Sequence, residues 1–313
     1  MLPQLTAEQV HAALPWPVLA AALEAAFMAP PVAPVRTAHA LSPSDTLLFM
    51  PAWNDRAIGL KLVTVIPSAP RHGGHTVDAS YLLLDRFTGA PRALMDGEAL
   101  TVRRTAAASA LAARALAVPQ PQSLLVVGTG RLAPWMLRAY RALLPSLTRL
   151  QLWGRDAATT ARLAQSLLDE GVPVSPAPSL PDAVASSQIV CCVTTATAPV
   201  VHGDWVRAGT HLDLVGGFTP GMREVDDAAV ARARIVVDSL DSALQEAGDL
   251  VQPLERGVIT RASLVGDLGM VLRGEVIARR RDRDITLFKS VGHALEDLAA
   301  ATVVFDQSIP AAP

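Results

Sequence analysis

Leu124 to Ala133 reads L-L-V-V-G-T-G-R-L-A, and the fold follows from it. Leu124–Val127 has the composition of a buried parallel strand. Gly128, Gly130 and Ala133 follow at the spacing of the dinucleotide-binding turn G-x-G-x-x-G/A. In such a turn the first glycine permits a tight reversal, and the second lets the backbone approach a pyrophosphate. The small third residue lets the next helix pack close to the strand. The phosphates then meet the N–H groups and positive dipole end of that helix.

The flanking sequence alternates strand, turn and helix. Strands are expected at Leu124–Val127, Arg149–Trp153, Val172–Ser175, Gln188–Thr194, Thr210–Val215 and Ile235–Asp238, with helices at Leu132–Leu144, Ala157–Glu170 and Pro181–Ser186. That rhythm predicts an α/β fold with a doubly wound parallel sheet of Rossmann type. The N-terminal third differs. Thr6–Met28 reads as one helix with a Thr6-x-x-Gln9 cap, and Met28–Pro34 as an extended connector. Leu47–Pro51, Leu60–Ile66 and Ala79–Asp85 read as strands of a partly antiparallel sheet, and Leu100–Val118 as a long alanine-rich helix. Pro119-Gln120-Pro121 reads as a domain boundary, and Ile285–Phe305 as a helix returning to the first domain. The expected division is a Rossmann domain over 119–284 and an α+β substrate-binding and dimerisation domain over 1–118 and 285–313.

Of 313 residues, half are hydrophobic and 18% are charged, with a formal net charge of −2. This suits a packed globular chain and gives little support to nucleic-acid binding. Arg279-Arg280-Arg281 is offset by neighbouring acids and reads as a solvated turn. No run of apolar residues is long enough for a membrane span, and no secretory leader is evident. Cys191 and Cys192 are adjacent in an apolar run, so they are expected to be reduced core residues of a cytoplasmic protein. The seven histidines show no metal-ligand spacing.

Dinucleotide folds usually carry an acid at the end of the second strand, where it binds the adenosine ribose. Here that strand reads L-Q-L-W-G-R. Gly154 would make room and Arg155 would supply charge for a 2′-phosphate, which favours NADPH. Asp156, one residue later, keeps NADH open, and the alternative for Arg155 is a loop cap. Val193-Thr194-Thr195 ends the fourth strand, where its hydroxyls can meet ribose or phosphate.

Several segments resemble the ornithine cyclodeaminase/mu-crystallin family. They include Met50-Pro51-Ala52-Trp53, Gly59-Leu60-Lys61-Leu62-Val63 and Leu94-Met95-Asp96-Gly97-Glu98-Ala99-Leu100-Thr101. Arg104-Thr105-Ala106-Ala107-Ala108-Ser109-Ala110, Pro220-Gly221-Met222-Arg223-Glu224-Val225-Asp226, Val237-Asp238-Ser239 and Glu246-Ala247-Gly248-Asp249 continue the likeness in order. The resemblance implies a homodimer, a nicotinamide cofactor and an amino-acid-like substrate. It implies that Arg36 and Arg104 clamp a substrate carboxylate, a role that suits the guanidinium fork. It also implies that Lys61 polarises or protonates near the reacting centre. The alternatives are an edge-strand lysine at 61 and a surface salt bridge at 104. Cofactor contacts are expected from Thr105, Gly128, Thr129, Gly130, Arg131, Leu132, Trp153, Gly154, Arg155, Val193, Thr194, Thr195, Val215 and Gly216.

Two departures bear on the substrate. In the cyclodeaminases an acid two positions before the Met-Pro dipeptide holds the distal amine, and another acid follows the Gly-Gly of the fifth strand. Here those positions are Leu48 and Phe218. Neither can pair with an ammonium, and Asp96, Glu98 and Asp226 read as turn or cap residues. The expected activity is therefore reduction of a small cyclic imino acid by NADPH, with no metal. Δ1-Pyrroline-2-carboxylate and Δ1-piperideine-2-carboxylate are the expected substrates. Cyclodeamination, alanine dehydrogenation and non-enzymatic ligand binding are the alternatives.

Overall fold

The computed structural model describes residues 2–29 and 32–309. Pro30 and Pro31 of the expected connector lie outside the described residues. The chain forms two compact units, one running to Thr105 and resuming at His293, the other spanning Ala106–Gly292.

The first unit is built on six strands: β1 (Gln4–Leu5), β2 (Thr37–Ala40), β3 (Thr46–Trp53), β4 (Ala57–Val65), β5 (Val77–Asp85) and β6 (Pro91–Asp96). Their order is β1-β6-β5-β4-β3-β2, antiparallel except for the β1–β6 pair. Period-2 alternation buries one face, which on β4 carries Ala57, Gly59, Lys61 and Val63. The helix Ala294–Ser308 packs on that sheet and against the helix Trp16–Met28.

The expected single helix over Thr6–Met28 is two, Ala7–Ala12 and Trp16–Met28. Pro15 and Pro17 lack the N–H groups a continuous helix needs there. Thr6 and Gln9 do form a reciprocal capping box. Arg103 fastens the break by donating to the Leu14 carbonyl and lying 3.8 Å over the Trp16 ring.

The second unit holds eight strands: β7 (Ser123–Val127), β8 (Arg149–Trp153), β9 (Val174–Pro176), β10 (Ile189–Cys192), β11 (His211–Leu214), β12 (Ala233–Val237), β13 (Leu264–Asp267) and β14 (Ile285–Lys289). All pair in parallel in the order β13-β12-β14-β11-β10-β7-β8-β9. Chain order reverses between β7 and β10, so the strands' carboxyl ends open a crevice there.

Two expectations are corrected. Ile285–Lys289 is a strand inserted between β11 and β12, and the returning helix begins only at Ala294. Accordingly the units divide after Thr105 and Gly292, instead of after 118 and 284. Pro119-Gln120-Pro121 is a loop leading from the helix Gly97–Leu116 into β7, inside the second unit. Cys191 and Cys192 are free and fully buried on β10, as expected. Arg279 lies in a turn, but it is half-buried and ties that turn to the Leu116 carbonyl at 2.8 Å.

Candidate active site

In the first unit, the alternation of β4 points Lys61 into the interior. Asp96 caps the helix Gly97–Leu116 by accepting from the Ala99 N–H at 2.7 Å. That helix carries Thr101, whose Oγ1 is 3.5 Å from Lys61 Nζ, and then Arg104. The helix Ala294–Ser308 contributes Glu296 and Asp297 from its first turn. Asp297 bridges both cations, with Oδ2 at 2.7 Å from Lys61 Nζ and Oδ1 at 3.0 Å from Arg104 Nε. Glu296 Oε2 accepts from Arg104 Nη1 at 2.8 Å. All four side chains are buried.

Two cations and two anions thus share one interior cluster, where either set alone would be strongly unfavourable. Burial pushes the Lys61 ammonium down to a pKa of about 8; Asp297 opposes that shift and Arg104 adds to it. Burial also works against the charge on Asp297, but Arg104 and Lys61 outweigh it and hold the carboxyl below its usual range. Tyr81, the cross-strand neighbour of Lys61, has a buried hydroxyl without a hydrogen-bond partner. Burial raises its pKa well above the usual value, and the Asp297 charge adds to the shift.

Leu48 pairs with Val63, and Met50 with Lys61, so Leu48 stands on the same sheet face as Lys61. Arg36 is half-buried immediately before β2, and Thr105 is buried beside Arg104 on its helix. The sequence alternatives for the two cations are corrected. Lys61 is interior on a central strand, and the ion pairs of Arg104 are internal. Glu296 and Asp297 escaped the sequence reading. Their one signal is a pair of acids within the apolar run A-L-E-D-L-A-A-A.

In the second unit a cavity of about 780 Å³ opens at the carboxyl ends of β7, β8 and β10. Gly128, Thr129 and Gly130 line it from β7, Trp153, Gly154 and Arg155 from β8, and Val193, Thr194 and Thr195 from β10. Gly128 has φ +121°, and a Cβ there would lie 2.8 Å from the Val193 carbonyl oxygen. At Gly130 a Cβ would meet nothing within 4 Å, leaving open space beside the turn. The following helix, Ala133–Leu143, has no side-chain cap at its N-terminus. The open backbone of this turn at the start of a helix fits the pyrophosphate of a dinucleotide.

Gly154 has a different reason from the one the sequence suggested. A Cβ there would lie 2.5 Å from Thr129 Cγ2 and 2.8 Å from Thr160 Oγ1, so internal packing already demands glycine. Asp156 caps the helix Ala157–Asp169, its Oδ1 accepting from the Thr159 N–H at 2.6 Å, and it too lines the cleft. Arg155 is exposed on the cleft wall.

Arg131 and Leu132 follow the turn but do not line the cleft. Val215 and Gly216, at the end of β11, also lie outside its lining. Phe218 follows Gly217 in the second unit and is 45% exposed, whereas Leu48 belongs to the first. Asp226 caps the helix Asp227–Arg232, as its sequence position suggested. Among the described residues no cluster suits a metal, and no helix is long and apolar enough to cross a membrane.

Residues 5–310 match the ornithine cyclodeaminase/mu-crystallin family. The chain belongs to this family. It is 36% identical over 311 residues to a Δ1-pyrroline-2-carboxylate reductase of Colwellia psychrerythraea, covering 97% of this chain and 98% of that one. The Δ1-pyrroline-2-carboxylate reductase of Thermococcus litoralis, solved with NADH and L-proline, superposes with a TM-score of 0.92. It is 30% identical, and the match covers 99% of this chain and 98% of that one. An archaeal alanine dehydrogenase dimer with bound NAD also gives 0.92, at 29% identity over 98% and 96% of the two chains. The family assignment agrees with the glycine turn and the M-D-G-E-A-L-T segment alike.

Proposed function

We propose that this chain is an NAD(P)H-dependent imine oxidoreductase that reduces Δ1-pyrroline-2-carboxylate to L-proline, with Δ1-piperideine-2-carboxylate as the larger-ring alternative. The observation that carries this reading is Lys61, a buried ammonium with its pKa brought down to about 8, on the sheet face it shares with Leu48. A diamine substrate would bring a second ammonium to that face, and Leu48 offers it no partner. The hydrocarbon arc of a cyclic imine needs none. In the second unit Phe218 likewise stands where an acid would be required for amine chemistry. The reductases among the relatives support the same reading.

In the reaction the C=N bond gains a hydride at C2 and a proton at nitrogen, and NAD(P)H becomes NAD(P)⁺. The reduced nicotinamide, when bound, supplies the hydride. Lys61 supplies the proton, because burial makes its ammonium a stronger acid than an ordinary lysine. Asp297 holds Lys61 in place and keeps it charged near neutrality. Arg36 and Arg104 hold the substrate carboxylate. Arg104 already gives Nε to Asp297 and Nη1 to Glu296, so it contributes through the remainder of its fork.

The cofactor reading is NADPH, with NADH as the less favoured donor. Asp156 gives its Oδ1 to a helix cap, while Arg155 is exposed on the cleft wall with a charge suited to a 2′-phosphate. The dimeric alanine dehydrogenase relative supports a homodimer, which sedimentation can check. The decisive assay follows NADPH oxidation with Δ1-pyrroline-2-carboxylate and identifies L-proline as product. Steady ammonia release from ornithine without net NADPH consumption would overturn the reading.

A further inference from the structure

Beneath the carboxyl ends of β10 and β11, three fully buried charged residues form a closed chain of contacts. Glu224 Oε1 accepts from the Thr194 N–H at 2.7 Å. Asp249 Oδ1 accepts from the N–H groups of Glu224 and Val225, at 2.8 Å and 3.1 Å. Asp249 Oδ2 pairs with Lys289 Nζ at 3.3 Å, and Lys289 donates to the Gly216 carbonyl. The circuit closes because Gly216 lies directly against Thr194. A Cβ at Gly216 would fall inside contact distance of the Thr194 carbonyl oxygen and 2.5 Å from Glu224 Oε1.

One end of this circuit, Thr194, lines the cleft. We infer that Glu224 is a positioning residue for that cleft, its carboxyl fixing the Thr194 backbone against the Gly216 turn. The inference rests on the reading that the cleft holds a nicotinamide dinucleotide. The second oxygen of Glu224, Oε2, is buried without a hydrogen-bond partner, which a purely structural acid would normally avoid.

The same geometry makes the cleft sensitive to pH. Burial pushes the Glu224 carboxyl up to about 8; Lys289 opposes the shift, Asp249 adds to it, and the Thr194 N–H opposes it. The other groups facing it are Cys191 and Cys192 on β10 and Asp213 on β11. Burial raises both thiols well above their usual value, so they stay neutral, and it raises Asp213 as well. Ionisation of Glu224 adds a negative charge beneath a cleft that must accept phosphates, so affinity for the dinucleotide falls as pH rises through about 8.

The test is equilibrium titration of the full chain with NADPH, read by nicotinamide fluorescence, at about pH 6.5 and about pH 9.5. It uses wild type, Glu224→Gln and Glu224→Leu, with circular dichroism and thermal midpoints to check folding. Glutamine keeps an acceptor for Thr194 and cannot ionise, so it should bind within about threefold of wild type at the lower pH and lose the pH dependence. Leucine removes the acceptor and should weaken binding roughly tenfold or more. A folded Leu variant that binds like wild type would overturn the inference, as would a Gln variant that retains the wild-type pH dependence. If the Leu variant does not fold, the Gln variant alone decides. Wild type that binds neither NADPH nor NADH would instead sink the functional reading, and the positioning role with it.

Discussion

Lys61 Nζ and Asp297 Oδ2 lie 2.7 Å apart in the interior of the first unit, on β4 and on the helix Ala294–Ser308. The same carboxylate takes Arg104 on its other oxygen. Asp297 is therefore the hinge of the cluster: it fixes both cations and sets how readily Lys61 gives up a proton.

Asp297→Asn should damage both roles. Removing one partner of a buried ion pair typically costs about 3–5 kcal/mol, so a marked loss of stability in denaturant is expected. Asp297 raises the Lys61 pKa against the effect of burial, so its loss should lower that pKa further. The alkaline limb of the pH–rate profile should then move to lower pH. An unshifted limb in a folded variant would show that Asp297 does not govern Lys61.

Lys61 gives a second expectation from its own titration. The ammonium is the proton-donating form, and its folded pKa is about 8, below the ordinary lysine value of 10.5. Imine reduction should therefore lose rate as pH rises through about 8, as that form disappears. Lys61→Met should lower kcat by roughly 10²–10⁴. NADPH affinity should stay within about threefold, because Lys61 contributes nothing to the dinucleotide cleft. Rates and fluorescence titrations on the same preparation separate the two effects.

Much of this architecture was legible in the chain, for identifiable reasons. The glycines at 128 and 130 sit where β7 turns at the edge of the cleft, and β8 falls where the strand–turn–helix rhythm placed it. Ile285–Lys289 misled because all five residues are buried, so the segment has no period-2 signal to separate it from the helix that follows. The C-terminal boundary moved with it, from 284 to Gly292. Glu296 and Asp297 were invisible for another reason. Acids in a helix's first turn ordinarily answer the helix dipole, and nothing local reveals that these two reach Arg104, 192 and 193 residues earlier. The Glu224–Asp249–Lys289 circuit is likewise a product of topology, since β14 enters the sheet beside β11.

Arg155 is the third test. It is exposed on the cleft wall, and the one nearby acid in sequence, Asp156, gives its Oδ1 to the Thr159 N–H. A charge-assisted contact to a 2′-phosphate is worth about 1.5–3 kcal/mol, so Arg155→Ala should raise the KM for NADPH roughly tenfold or more. The KM for NADH, which lacks that phosphate, should change little. Equal increases for both would assign Arg155 to some other role.

Gly130 and Gly154 give a paired contrast within one cleft. At Gly130 a methyl group meets nothing in the protein, so Gly130→Ala should fold with stability within about 0.5 kcal/mol of wild type. The same methyl would occupy the open space beside the turn, so NADPH binding should weaken about tenfold or more. At Gly154 the methyl would press on Thr129 and Thr160, at 2.5 Å and 2.8 Å. Gly154→Ala should therefore lose about 1–3 kcal/mol of stability through overpacking. Thermal midpoints and NADPH titrations of the two variants should diverge in this way. If Gly130→Ala kept full affinity, the pyrophosphate would not lie against this turn.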